Sequence, residues 1–116
     1  MSYWVYVEDP EGNTCHSDAP LTVRGGTYAI GNTALELNVT YNYSKYFYQV
    51  LEGGLRSLNG LAVVDTVANL RKATEALAGK PSNNYWDATE GNAKAALEDV
   101  LKLAEFAPKD SIWRIS

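Results

Sequence analysis

Residues 35–43 carry the clearest pattern in the sequence, a strict alternation of apolar or aromatic positions with polar ones. The two sets are Leu35, Leu37, Val39, Tyr41 and Tyr43 against Glu36, Asn38, Thr40 and Asn42. Period two is the spacing of a half-buried β-strand. We therefore predict a strand over the whole stretch, with one face in the core and a row of short hydrogen-bonding side chains on the other.

The start of the chain predicts a β-hairpin. Tyr3 to Val7 is rich in aromatic and β-branched residues, which favour strands. Asp9-Pro10-Glu11-Gly12 has turn chemistry, because proline presets φ at the second position and glycine tolerates a positive φ. A return strand over residues 13–16 would close the hairpin.

The remainder of the chain predicts helices. Ser44 is the expected N-cap of a short helix over 45–52. A second helix fits 62–78, and the Gly-Lys-Pro sequence that follows is typical of a helix C-terminus. A third helix begins near Asp87, which forms an aspartate version of the capping box with Glu90.

Strands that precede helices, rather than alternating with them, indicate an α+β fold. We predict a small N-terminal antiparallel sheet packed against two to three C-terminal helices. The apolar tail at 112–115 should pack back on the body, and residues 1–116 form a single domain, since no linker divides them.

Composition places the chain among globular proteins. It is 46% hydrophobic and 21% charged, which excludes a disordered chain. No run of about 18 apolar residues occurs, as a membrane-spanning helix requires. The start at Met1 lacks the pattern of a signal peptide, and the lone Cys15 has no partner for an internal disulfide. We expect a soluble protein of the cytoplasm.

The distribution of charge along the chain argues against two classes of binding partner, duplex nucleic acid and membrane surfaces. Residues 1–43 carry the whole net charge of -4, while the nine acidic and nine basic residues of 44–116 cancel. Neither part has a basic stripe, so we expect no duplex nucleic acid and no membrane surface as partners. The acidic balance is explained most simply by solubility.

The sequence shows no catalytic constellation. Glycine-rich phosphate loops and the common metal-binding motifs are absent from it, so we predict no metal and no cofactor. Cys15 and His16 are neighbours, and adjacent residues on a strand point to opposite faces. The carboxylates of Glu36, Glu52, Asp87 and Glu90 are not brought together by their spacing.

Three short segments combine aromatic residues with small polar ones: residues 24–28, 38–43 and 85–93. Thr89 and Asn92 share a face in the first turns of the third helix, where unpaired N–H groups favour an anion. If the segments converge, they form a pocket with stacking faces for a base and donors for ribose or phosphate oxygens. The candidate ligand-binding residues are Arg24, Thr27, Tyr28, Asn38, Thr40, Tyr41, Asn42, Arg56, Tyr85, Trp86, Thr89 and Asn92.

A purely structural interpretation of these residues stays open. Asn and Thr on the open face of a strand are commonly just solvated, and Thr89 or Asn92 would then tie a neighbouring backbone. Tyr and Trp at the ends of elements often pack half-buried with a satisfied polar tip.

The three motifs together, RGGTY, NVTYNYS and YWDATEGNAKAAL, resemble a family of small proteins from bacteriophages and prophages of gut Firmicutes. The resemblance covers about residues 20–115 and leaves the first twenty residues unmatched. It implies a phage origin and a bacterial host cytoplasm. The family has no assigned activity, so the resemblance supplies no catalytic residues.

We therefore expect a phage-encoded, non-enzymatic accessory protein that counters host defence by sequestering a small nucleotide-derived ligand. The alternative is a protein–protein inhibitor of a bacterial defence or CRISPR effector, which the acidic segment 8–18 would suit. A small hydrolase or transferase using Glu36 or Glu90, and a structural or virion role, also stay open. The sequence allows a homo-oligomer.

Overall fold

In the part of the chain that the structure describes, four strands form one antiparallel sheet, accompanied by three helices and two short 3-10 helices. The computed structural model describes residues 1–19, 27–29 (backbone pairing alone), 33–84 and 86–116. The strands are β1 (Ser2–Glu8), β2 (Thr27–Ala29), β3 (Glu36–Thr40) and β4 (Ile112–Ile115). The helices are α1 (Ser44–Val50), α2 (Val63–Ala76) and α3 (Glu90–Phe106), with 3-10 helices at Tyr41–Tyr43 and Leu55–Leu58. The predicted α+β class is confirmed.

The sheet has the order β2-β3-β1-β4, so β1 lies at its centre. Val5 of β1 faces Leu37 of β3 on one side and Ile115 of β4 on the other. These three side chains are buried, as are Leu35 and Val39, which confirms the predicted core face of β3. Burial of such side chains stabilises the fold by about 1.5–3 kcal/mol each.

The C-terminal segment packs back on the body, as its apolar residues predict, and adds the fourth strand. Trp113 is fully buried and its indole N–H donates to Thr66 Oγ1 of α2 over 2.8 Å. The outer edge of β4 is covered by the chain that enters α2, because Trp113 N donates to Leu61 O and Val63 N donates to Ser111 O. This edge is therefore satisfied within the chain.

The predicted strand over 35–43 is too long at its C-terminal end. β3 ends at Thr40, which is buried, and Thr40 Oγ1 accepts a hydrogen bond from Asn42 N over 3.2 Å. That bond caps the 3-10 helix at Tyr41–Tyr43, so Asn42 does not lie on the strand face. Ser44 is the first residue of α1 rather than its N-cap, and its hydroxyl donates to Tyr41 O.

The predicted turn at residues 9–12 is present, but the return strand is not. Asp9 Oδ1 accepts from the backbone N–H groups of Glu11 and Asn13, at 3.0 and 2.8 Å, and Gly12 has a φ of 87°. Over residues 13–16, where that strand is predicted, the chain makes isolated bridges at Thr14 and His16.

α3 begins at Glu90, later than the sequence predicts, because Thr89 and not Asp87 is its N-cap. Thr89 Oγ1 accepts from Asn92 N over 3.1 Å, and the Glu90 carboxylate accepts from Ala78 N over 2.7 Å. α3 in turn caps α2, since the Lys94 ammonium donates to the carbonyls of Thr74 and Leu77 at 2.9 and 2.8 Å. The α2–α3 connection is therefore held from both ends.

Gly91 allows this connection to cross the start of α3. A Cβ built on Gly91 would lie 2.0 Å from the carbonyl oxygen of Lys80, far inside any contact distance. The obstructing atoms belong to the backbone, so they cannot move aside as a flexible side chain would. Only glycine fits this position without displacing the loop.

We expect Gly91→Ala to lower the free energy of unfolding by about 3 kcal/mol, since over-packing against backbone outweighs the gain in helix propensity. Thermal and urea unfolding would measure the loss. Gly12→Ala is the control: nothing lies within 4 Å of its added Cβ, so only the cost of a positive φ, about 1 kcal/mol, applies. A Gly91→Ala protein as stable as the wild type would contradict the close approach.

Candidate ligand-binding surface

Two of the three polar-aromatic segments meet in the structure. Asn42 Nδ2 donates to Trp86 O over 2.7 Å, and the hydroxyl of Tyr46 donates to Ala88 O over 3.3 Å. The 3-10 helix at 41–43 and the start of α1 therefore lie against the loop that precedes α3. Asn42 and Tyr46 are four residues apart, which places them on one side of this helical stretch.

Arg56 adds a cation to the same region. Its guanidinium carbon lies 5.2 Å from the ring centroid of Tyr3 and 5.3 Å from that of Tyr41, and its Nη2 donates to the Tyr41 hydroxyl. The two rings meet edge to face, with centroids 4.6 Å apart. Cation–π contact and the hydrogen bond together fix the guanidinium on the tyrosines.

We define the Arg56–Trp86 surface as Arg56, Tyr41, Asn42 and Trp86. Each member contacts the next directly or along the chain: Arg56 bonds Tyr41, Asn42 follows it, and Asn42 bonds the Trp86 backbone. Trp86 is 50% exposed, so part of its indole faces solvent. The surface thus combines a cation, a phenol, an amide and an aromatic face.

The side chain of Asn92 is fully buried beneath the loop that precedes α3. Its Oδ1 accepts from Ser82 N over 2.9 Å, and its Nδ2 lies within 3.0–3.1 Å of Ser82 Oγ, Asn84 O and Asp87 O. Asn92 therefore fixes the loop that carries Trp86.

Thr40 and Thr89 are also engaged within the chain, since each caps a helical segment with its hydroxyl. These bonds match the structural interpretation of both residues. A ligand contact from either one, or from Asn92, stays a prediction.

Asn38 lies on the other face of the sheet. The register pairs it with Trp4 of β1, and strand alternation puts both opposite the buried Leu37 and Val39. Of the first segment, the backbone of Thr27 and Tyr28 pairs with Val39 and Asn38, which brings this strand beside β3. Two further predicted residues lie outside the described part of the chain: Arg24 and Tyr85.

Tyr3, Tyr46 and Ser82 contribute to this region but are not among the residues that the sequence predicted. The sequence predicts Tyr3 as a core residue of the first strand, and Tyr3 is buried. Its ring also makes a cation–π contact with Arg56. Its hydroxyl lies 2.7 Å from Ser44 Oγ, which holds that ring in place. Ser82 lies in a polar loop, and nothing else in the sequence distinguishes it from its neighbours.

Two depressions, of about 350 and 420 Å³, lie between the end of α1 and α2. Leu51, Glu52 and Asn69 line both. None of the twelve predicted residues is among the described residues that line them.

Cys15 and His16 face opposite ways, as their adjacency predicts. Cys15 is buried, and burial, followed by the charges of Asp9, Asp110 and Glu8, raises the pKa of its thiol. The neutral thiol is a weak nucleophile. The exposed His16 ring instead lies 3.0 Å from Thr33 Oγ1 through Nδ1.

Within residues 1–19, 33–84 and 86–116, no group of three or more His, Cys, Asp or Glu side chains is placed to hold a metal ion. Among the described residues, none of the helices has the length and hydrophobicity that a membrane span requires. Comparisons with protein-family models, with curated proteins and with solved structures find no match for this chain.

We expect Asn92→Ala to lower the free energy of unfolding by about 3 kcal/mol, because it removes the buried amide that bonds the N–H of Ser82 and the carbonyls of Asn84 and Asp87. Hydrogen exchange should rise across residues 82–87, where mass spectrometry can locate it. Asn69→Ala on the exposed side of α2 is the control and should change stability by less than about 0.5 kcal/mol. Unchanged exchange in the loop would show that Asn92 does not hold it.

Proposed function

We propose that this chain is a phage-encoded, non-enzymatic accessory protein that binds a small nucleotide-derived ligand on the Arg56–Trp86 surface. By holding the ligand, it withholds a signal from a bacterial defence pathway. The phage origin rests on the three motifs and their resemblance to phage and prophage proteins.

The observation that carries the proposal is the hydrogen bond from Asn42 to the Trp86 backbone. It joins two motifs that are 44 positions apart in the chain and leaves the indole half-exposed beside polar groups. Arg56 and Tyr41 continue the same surface.

Each group suits one part of a nucleotide. An exposed indole stacks on a base, and such stacking contributes about 1–3 kcal/mol per base. Asn42 uses its Nδ2 on Trp86 O, and no group in the described ranges donates to its Oδ1. That oxygen is an acceptor for a base or ribose donor. The guanidinium of Arg56 suits an oxyanion.

We expect Trp86→Ala to weaken ligand binding by about tenfold to a hundredfold, because one stacking contact with the base is lost. The unfolding of the variant should stay cooperative. Thermal shift with nucleoside mono- and diphosphates and cyclic mono- and dinucleotides would identify the ligand, and calorimetry would measure the affinity.

Trp4→Ala is the matched control, because Trp4 is similarly exposed, at 45%, but lies on the other face of the sheet. It should leave binding unchanged. If no member of the panel stabilises the wild-type protein, or if Trp4→Ala and Trp86→Ala lose affinity equally, the proposal fails.

A protein–protein inhibitor of a defence or CRISPR effector is the second candidate, favoured by apolar side chains at the start of α2. Leu61 and Val64 are 47% and 56% exposed, and Leu61 lines one depression together with Leu51 and Leu58. Exposed apolar groups of this kind are typical of protein contact surfaces when they cluster.

For this second candidate we expect the wild-type protein to retain a stoichiometric partner from host lysate, and Val64→Glu to lose it, because a charge would be buried in the contact. Trp86→Ala should still retain the partner, which separates the two candidates. Pull-down with mass spectrometry measures both. Capture by Val64→Glu as strong as by the wild type would reject this surface.

A further inference from the structure

We infer that the ligand lies on the Arg56–Trp86 surface in one orientation, with a phosphate group at Arg56 and a planar base at Trp86. The inference rests on the proposed function and adds the charge of the ligand and its direction on the protein.

Arg56 differs from the other described arginines in its partners. Arg114 pairs with Glu8 at 2.9 Å, and Arg71 lies 3.9 Å from Glu105. Arg56 forms no ion pair in the described part of the chain and rests on two tyrosine rings instead. In an acidic chain, a fixed cation without a carboxylate partner has its charge available for an anion.

The guanidinium of Arg56 and the hydroxyl of Tyr41 both offer hydrogen-bond donors at this end of the surface. The guanidinium has no acceptor atom, and the Tyr41 hydroxyl accepts from Nη2, which directs its own proton outward. The Tyr3 proton is engaged within the chain, because Ser44 donates to Tyr41 O and its Oγ therefore accepts from the Tyr3 hydroxyl. A cluster of donors suits phosphate oxygens, which only accept.

The opposite end of the surface is unsuited to phosphate. Asp87 directly follows Trp86, and its exposed carboxylate lies 3.5 Å from Ser82 Oγ through Oδ2. Its charge repels an oxyanion but not a neutral base. Lys45 follows Asn42 by three positions, and its ammonium stands over the Tyr46 ring at 5.0 Å.

The test compares each of the four ribonucleosides with its 5′-monophosphate by calorimetry. We expect the wild-type protein to bind a monophosphate about tenfold more tightly than the nucleoside, the size of one charge-assisted hydrogen bond. Arg56→Gln should bind both equally, at the affinity of the nucleoside. Arg56→Lys should recover part of the difference, since it keeps the charge but loses the planar fork.

Arg71→Gln is the matched control, because it removes an equally charged but paired arginine, and it should keep the full difference. Lys45→Gln tests the other end and should keep it too. Circular dichroism checks that each variant is folded.

Three results would overturn the inference. Arg56→Gln could retain the difference, or Lys45→Gln could abolish it, which would move the phosphate to the other end. Alternatively, the wild type could bind nucleoside and monophosphate equally. In that last case, loss of nucleoside binding in Trp86→Ala would leave the proposed function standing, whereas absence of binding to all eight compounds and to the wider panel would overturn both.

Discussion

The buried amide of Asn92 determines where the α2–α3 connection lies, and the candidate surface depends on that position. A single side chain uses both its acceptor and its donors on the loop. Leaving such groups unpaired in the interior costs more than forming them gains, so the loop has one favourable path over the start of α3. Gly91 makes room for that path. Neither residue needs to touch a ligand to decide where Trp86 stands.

Much of the fold was predictable because the spacing of apolar residues along the chain indicates which side chains are buried. The odd positions 35, 37 and 39 are buried, the last two within β3, and α2 and α3 fall close to where their apolar stripes indicate. The alternation of residue types continues past Thr40, but the strand does not. Threonine favours strands and also caps turns, and local pattern cannot choose between these roles. The choice is made by a bond from Asn42 N to its hydroxyl.

The start of α3 was ambiguous for a related reason. Asp87 and Thr89 are both good N-cap residues, and the sequence favours the one with a glutamate three positions on. In the structure, the Asp87 carbonyl accepts from Asn92 instead, which leaves Thr89 to cap the helix. The meeting of Asn42 with Trp86 depends on how distant elements pack, and no local pattern shows a contact across that separation. The combination of aromatic and small polar residues in the sequence nevertheless identified both segments that meet there.

The placement of β1 between β3 and β4 has a consequence for how the protein is made. Glu8 and Arg114, which pair across β1 and β4, are 106 positions apart. A ribosome adds about 5–20 residues per second to the chain. The edge of β1 that pairs with β4 therefore stays unpaired for several seconds, until β4 has been synthesised. Contacts of such long range also slow folding itself. During that interval the nascent chain presents unpaired backbone N–H and C=O groups along this edge of β1, to which a chaperone or a strand of a second nascent chain can bind.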